Sequence, residues 1–280
     1  MRLANLDGRL VLIAEDRAVD VEGASGERFS ADPQAVYDSW GEFSTWAQGI
    51  TGGGARFDPA DLGPPVPRPR QVFAIALNYR SHADEANFRP PDEPSVFTKF
   101  VSSLTGPYGD VRLVDGNVDW EAELVIVVGK TARNVPESSA WDYVAGITIG
   151  QDVSERLSQL AGEAPQFSLA KSHPGFSPTG PWVVTPDSVP DPDDLLIACT
   201  VNGEEVQKAR TSDLIFPVPA LFARLSARLP LLPGDLIFTG TPSGVGLGRS
   251  PQWFLSDGDE VVTTVEGIGH MAHRFVRERR

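Results

Sequence analysis

The run Asp119-Trp120-Glu121-Ala122-Glu123-Leu124-Val125-Ile126-Val127-Val128 reads as a β-strand, predicted over 120–128. Successive side chains along a strand point to opposite faces. Glu121 and Glu123 therefore share one face with Val125 and Val127, and Ala122, Leu124, Ile126 and Val128 share the other. Two carboxylates side by side at the end of an otherwise buried strand repel each other and resist leaving water. A bound dication would remove both difficulties. A strand end that emerges into solvent would remove them too, and this segment alone leaves both readings standing.

Working outward, Ile147-Thr148-Ile149-Gly150-Gln151-Asp152 closes the next strong strand, predicted over 143–150. If that strand lies beside the first, Asp152 arrives next to Glu121 and Glu123. Three carboxylates with no thiol and no clear imidazole partner favour a hard cation, Mg²⁺ or Mn²⁺ rather than Zn²⁺, and Ca²⁺ also fits. The alternative for Asp152 is an N-cap on a short helix predicted over 154–160. His82 and Glu85, in Ser81-His82-Ala83-Asp84-Glu85, stand three apart on a predicted helix, so the two side chains can meet. A carboxylate that orients an imidazole makes a general base for water. The plainer alternative is that acids in a first turn only complement the helix dipole. Lys171, in Ser168-Leu169-Ala170-Lys171-Ser172, can polarise a carbonyl or stabilise an enolate; otherwise it is a solvated lysine. His173, His270 and His273 receive no role.

Composition narrows the partners. The 280 residues hold 24 Lys+Arg against 38 Asp+Glu, a formal charge of −14. Phosphate backbones and anionic lipid would repel such a chain, so neither nucleic acid nor a membrane is expected as a partner. The longest apolar stretch, from Val72 to Leu77, is far short of the roughly 20 residues that span a bilayer. An acid at Asp7 and the lack of a long apolar core argue against a signal peptide at the N-terminus. Cys199 is the single cysteine, which excludes an internal disulfide and Cys-based metal cages and fits a reducing, cytoplasmic setting.

The 27 glycines and 24 prolines suit many short strands and turns better than long helices. Strands are predicted over 9–14, 17–21, 71–77, 236–239 and 260–265. A hairpin is predicted over 195–209, turning at Asn202-Gly203. Helices are predicted from Asp32 and Pro33 through Trp46, from Ser81, where Asp84 makes a weak capping box, and over 217–229. The Pro-rich run Gly63-Pro64-Pro65-Val66-Pro67-Arg68-Pro69 reads as a stiff connector, which divides a small N-terminal domain, 1–67, from a catalytic domain, 68–280. Arg277-Glu278-Arg279-Arg280 reads as a basic tail. Gly244-Val245-Gly246-Leu247-Gly248 lacks the following helix of a dinucleotide loop and reads as a sharp turn near a site. Ser243 is not in a nucleophile elbow.

Several motifs in order resemble the fumarylacetoacetate hydrolase family over about residues 68–280. They are Leu77-Asn78-Tyr79-Arg80-Ser81-His82-Ala83-Asp84-Glu85, Asp119-Trp120-Glu121-Ala122-Glu123-Leu124, Gln151-Asp152-Val153-Ser154, Gly180-Pro181-Trp182, Val201-Asn202-Gly203-Glu204, and Pro233-Gly234-Asp235 through Thr239-Gly240-Thr241-Pro242-Ser243-Gly244-Val245-Gly246. The resemblance implies an α+β, β-rich fold, a mixed β-sandwich or roll with short helices, and a homodimer. It implies Mg²⁺ or Mn²⁺ on Glu121, Glu123 and Asp152, Lys171 beside the metal, and a catalytic His82–Glu85 pair on a lid helix. Arg156, Gln159 and Thr241 fall on its substrate-binding positions. Leu157 stands where an Asp often follows the matching Arg, and Ser172-His173-Pro174-Gly175 replaces a more usual Ser-Phe-Asp-Thr. The implied activity is hydrolysis of a C–C bond in acylpyruvate-like or β-dicarbonyl 2-oxo acids. The alternatives are an isomerase of the 2-hydroxyhepta-2,4-diene-1,7-dioate type or an oxo-acid decarboxylase or tautomerase in aromatic catabolism. A catalytically silent metal-binding β-domain is the alternative of another class.

Overall fold

A computed structural model describes residues 1–50, 52–85, 89 and 91–278, with the backbone alone at residue 84. The proposed capping role of Asp84 and the last two residues of the basic tail lie outside the described residues. The chain folds as a strand-rich α+β protein with short helices. Its larger sheet is twelve-stranded among the described residues. Along the main path the order is Ala55–Arg56, Arg17–Asp20, Arg9–Ala14, Arg2–Leu6, Ser177–Val184, Val144–Gln151, Ala122–Val128, Leu236–Phe238, Val72–Ala76 and Ser95–Thr98. A second sheet runs Glu204–Arg210, Leu196–Val201, Glu260–Val265, Gly269–Val276 and Tyr108–Arg112.

The strand Ala122–Val128 is buried at every residue because a core covers each of its faces. Leu124 and Ile126 pack with Ile197, Val261, Met271 and Phe275 of the second sheet. Val125 and Val127 pack on the other side with Leu3, Leu10, Leu12, Val183 and Phe238. The predicted alternation therefore serves two cores, and the N-terminal residues supply part of the second. There Phe29, Phe43 and Trp46 form an aromatic cluster with centroids 5.3–5.8 Å apart. The Asn202-Gly203 hairpin forms as read, with both residues at positive φ, 51° and 81°.

Two local readings change, and further strands form that were not predicted. The helix expected from Asp32 to Trp46 is a 3₁₀ turn, Ala35–Ser39, followed by an α-helix, Trp40–Ala47. The segment 154–160 begins as a strand pair, with Ser154 and Glu155 opposite Asp119 and Val118, and only Arg156–Gln159 is helical. Its N-cap is Glu155, which accepts from Leu157 N and Ser158 N, so Asp152 is free of that duty. Ser177–Val184 is a buried strand although it carries Pro178, Gly180 and Pro181, which locally favour a loop. Gly269–Val276, for which no element was predicted, is a strand with Met271, His273 and Phe275 buried and His270 and Arg274 exposed.

Candidate active site and metal centre

The strands Ala122–Val128 and Val144–Gln151 pair antiparallel, with Ala122 opposite Gln151 and Glu123 opposite Gly150. A Cβ on Gly150 would meet Val125 Cγ2 at 2.5 Å and Phe238 Cε1 at 2.7 Å, so glycine is what lets this strand end pack. Both strands leave the sheet at the same end, where Asp152 N donates to Glu121 O at 2.9 Å. One carboxylate oxygen from each of Glu121, Glu123 and Asp152 lies within 4.8 Å of the others. All three residues are buried, so the solvent-exposed reading of the strand end does not hold.

The charges around the three acids are unevenly shared. Lys171 Nζ donates to Glu121 Oε2 at 2.8 Å and to Asp152 Oδ2 at 2.7 Å. Arg156 Nη1 lies 2.7 Å from Glu121 Oε1. Lys99, fully buried, donates to Asp152 Oδ1, to Lys171 O and, at 3.2 Å, to Phe176 O. Glu123 accepts only the Gly240 N–H, at 2.8 Å, among the described residues. Burial opposes ionisation of Glu121, but Lys171 and Arg156 outweigh it and hold this carboxyl below its ordinary range. Burial, Asp152 and Glu121 together push Glu123 well above that range. Against its burial, Asp152 and Glu121 raise Lys171, whereas burial lowers Lys99. Hard oxygen donors, converged and buried, with one carboxylate lacking a cation, fit a small divalent ion.

His82 Nδ1 lies 3.1 Å from Glu85 Oε2 on the helix Arg80–Glu85. Glu85 Oε1 accepts from Gly244 N at 3.1 Å, which ties this helix to the glycine-rich loop. His82, Glu121, Arg156, Gln159, Lys171 and Thr241 line one cavity of about 210 Å³. The residues singled out in the sequence thus converge, although several are already engaged by protein. Thr241 Oγ1 donates to Ala122 O at 2.9 Å and accepts from Gln207 Nε2 at 2.9 Å. Arg156 donates through Nε to Asp119 Oδ2 and through Nη1 to Gln159 Oε1, both at 2.8 Å.

Sequence reading missed three supports. Lys99 stands in Phe97-Thr98-Lys99-Phe100, where a cation flanked by aromatics was the available signal. Asp119 accepts from Gly246 N at 2.7 Å and Leu247 N at 3.0 Å, joining the glycine loop to Arg156. Gln207 accepts from Ala122 N at 3.0 Å and had no local signal.

Comparison with known proteins accords with this arrangement. The fumarylacetoacetate (FAA) hydrolase C-terminal family matches residues 71–276. Human oxaloacetate tautomerase FAHD2A, mitochondrial, is 43% identical over 214 residues, covering 76% of this chain and 68% of that protein. The crystal structure of a putative HpcE protein from Mycobacterium smegmatis superposes with TM-score 0.96 at 55% identity, each chain covered over 100%. Maleylpyruvate hydrolase from Sphingobium sp. SYK-6, in complex with manganese(II) and pyruvate, superposes with TM-score 0.82 at 31% identity, again with 100% of each chain covered.

Proposed function

The chain belongs to the fumarylacetoacetate hydrolase family, and on that premise we propose that it is a divalent-metal-dependent hydrolase cleaving a C–C bond in acylpyruvate-like or related β-dicarbonyl 2-oxo acids. One observation carries the reading: the oriented imidazole of His82, the ammonium of Lys171 and the metal-type carboxylate Glu121 face a single cavity. Glu121, Glu123 and Asp152 would hold Mg²⁺ or Mn²⁺; a divalent cation there would act as a Lewis acid toward the substrate oxygens. The manganese and pyruvate of the Sphingobium enzyme support a metal and a 2-oxo acid of this kind.

The remaining steps belong to the chain's own residues. Arg156 and Gln159 orient the 2-oxo acid end, and Thr241 fixes the strand edge beside it. His82, held by Glu85, takes a proton from water. The resulting hydroxide adds to the distal carbonyl and the C–C bond breaks, releasing a carboxylic acid and leaving an electron pair on the 2-oxo acid fragment. Lys171 stabilises that developing charge until the carbon is reprotonated. A second reading, keto–enol tautomerisation of a 2-oxo acid, is favoured by the 43% identity to oxaloacetate tautomerases. It needs the same enolate stabilisation without attack by water.

A turnover panel with Mg²⁺ or Mn²⁺ on acylpyruvates, oxaloacetate and hydroxymuconate-type diacids, analysed by product, separates the readings. Hydrolytic products support the proposal and enol conversion alone supports the second reading. Metal bound with no turnover on any substrate leaves a silent metal-binding domain. A homodimer, a cytoplasmic setting and a small-molecule rather than nucleic-acid or membrane partner belong to the same proposal. Light scattering tests the dimer. Among the described residues no helix is long and apolar enough to cross a membrane.

A further inference from the structure

We propose that this site selects 2-oxo acids whose distal group is uncharged and apolar, and discriminates against those that end in a second carboxylate. The inference rests on the preceding reading of the site and adds its substrate preference. The cavity that holds His82 and Lys171 is also lined by apolar side chains, among them Ile75, Phe97, Leu160, Phe167, Val245 and Leu247. Phe97 and Phe167 meet edge to face, with centroids 5.6 Å apart. Lys171 Nζ lies 5.3 Å from the Phe97 ring centroid, so the aromatic surface begins where the charged groups end.

Provision for negative charge is limited to one place. Arg156 and Lys171 are the only Arg or Lys lining the cavity among the described residues. Lys171 is engaged by Glu121 and Asp152. The Arg156 guanidinium is spread over Asp119, Glu121 and Gln159, and only its Nη2, 2.8 Å from Asp119 Oδ2, lacks an aligned hydrogen bond. Arg249 is directed elsewhere, over the rings of Trp120 and Trp253 and toward Val206 O. A second carboxylate would therefore lose water against Leu160, Phe167, Val245 and Leu247 without gaining an Arg or Lys partner among the described residues, which strongly disfavours binding. An alkyl or aryl group would exchange water for that same wall favourably.

The test compares butanoylpyruvate with succinylpyruvate, which differ only in a terminal methyl against a terminal carboxylate, using the full chain with Mn²⁺. The expected kcat/KM favours butanoylpyruvate by about a hundredfold or more. Leu160→Lys, on the half-exposed rim of the cavity, places a cation beside the distal group and is expected to shrink that ratio by about tenfold or more. A wild-type ratio under tenfold, or a ratio unmoved by Leu160→Lys, overturns the inference while the hydrolase reading survives. Failure to cleave either substrate overturns the hydrolase reading itself.

Discussion

Glu123 is the carboxylate on which the proposed metal site turns. It is buried, faces Asp152 and Glu121, and accepts one backbone N–H. Replacing it by Gln removes a charge the fold holds at a cost and a ligand the cation needs. Glu123→Gln is expected to lower Mg²⁺ or Mn²⁺ affinity by about a hundredfold or more, while circular dichroism and the metal-free melting temperature stay at or above wild type. Unchanged metal affinity by calorimetry would falsify the site. His82 is a different case, because its partner Glu85 is bound to the glycine loop and the imidazole itself is partly exposed. His82→Ala is expected to cut hydrolysis by about 10²–10⁴-fold and to spare tautomerisation. Loss of neither activity, followed by product analysis, removes the pair from the mechanism. Glu121, Glu123 and Asp152 were legible because strand alternation and strand ends are local properties. Lys99 was not, since its three acceptors come from residues 152, 171 and 176.

At the scale of elements, the glycine loop is held to the site by Asp119. Gly246 and Leu247 donate to its two oxygens, and Arg156 Nε donates to one of them. A Cβ on Gly246 would lie 1.8 Å from Trp253 O and 2.8 Å from Asp119 Oδ1. Gly246→Ala must therefore shift the loop, and with it the Arg156 guanidinium. Its expected effect is a KM raised by about tenfold or more with metal affinity retained, read by steady-state kinetics and calorimetry. An unchanged KM would show that the loop does not position Arg156. The strands the sequence reading missed share a cause. Ser154–Glu155 and Ser177–Val184 are strands because neighbouring strands pair with them, against their local helix or loop preference.

Over the whole molecule, the N-terminal strand Arg2–Leu6 lies between Arg9–Ala14 and Ser177–Val184 in the large sheet. A chain begun at residue 68 would expose that edge and the core surface under Leu3, Leu10 and Leu12. Such a chain is expected to be insoluble or to melt well below the full chain; equal stability of the two would show that residues 1–67 fold apart. His273, buried on the strand Gly269–Val276 of the smaller sheet, donates through Nε2 to Gly106 O, and burial pushes it down from 6.5 to about 4. The unfolded chain takes up this proton first. The stability it contributes is therefore full above about pH 6.5 and is lost as pH falls toward 4, about 3 kcal/mol across the window. Urea midpoints across that range should fall less steeply in His273→Gln than in wild type, and parallel slopes would refute the assignment. The charge of −14 offers no general attraction to an anionic 2-oxo acid, so capture depends on local cations. By itself the sequence determined the paired acids, the hairpin, the His82–Glu85 spacing and the family resemblance, because periodicity and short motifs are local. Only the tertiary structure decided that all three acids are buried, that Lys99 and Asp119 brace them, and that apolar side chains line the cavity beside them. Those facts depend on which distant segments the sheets bring together, and neither spacing nor composition encodes that.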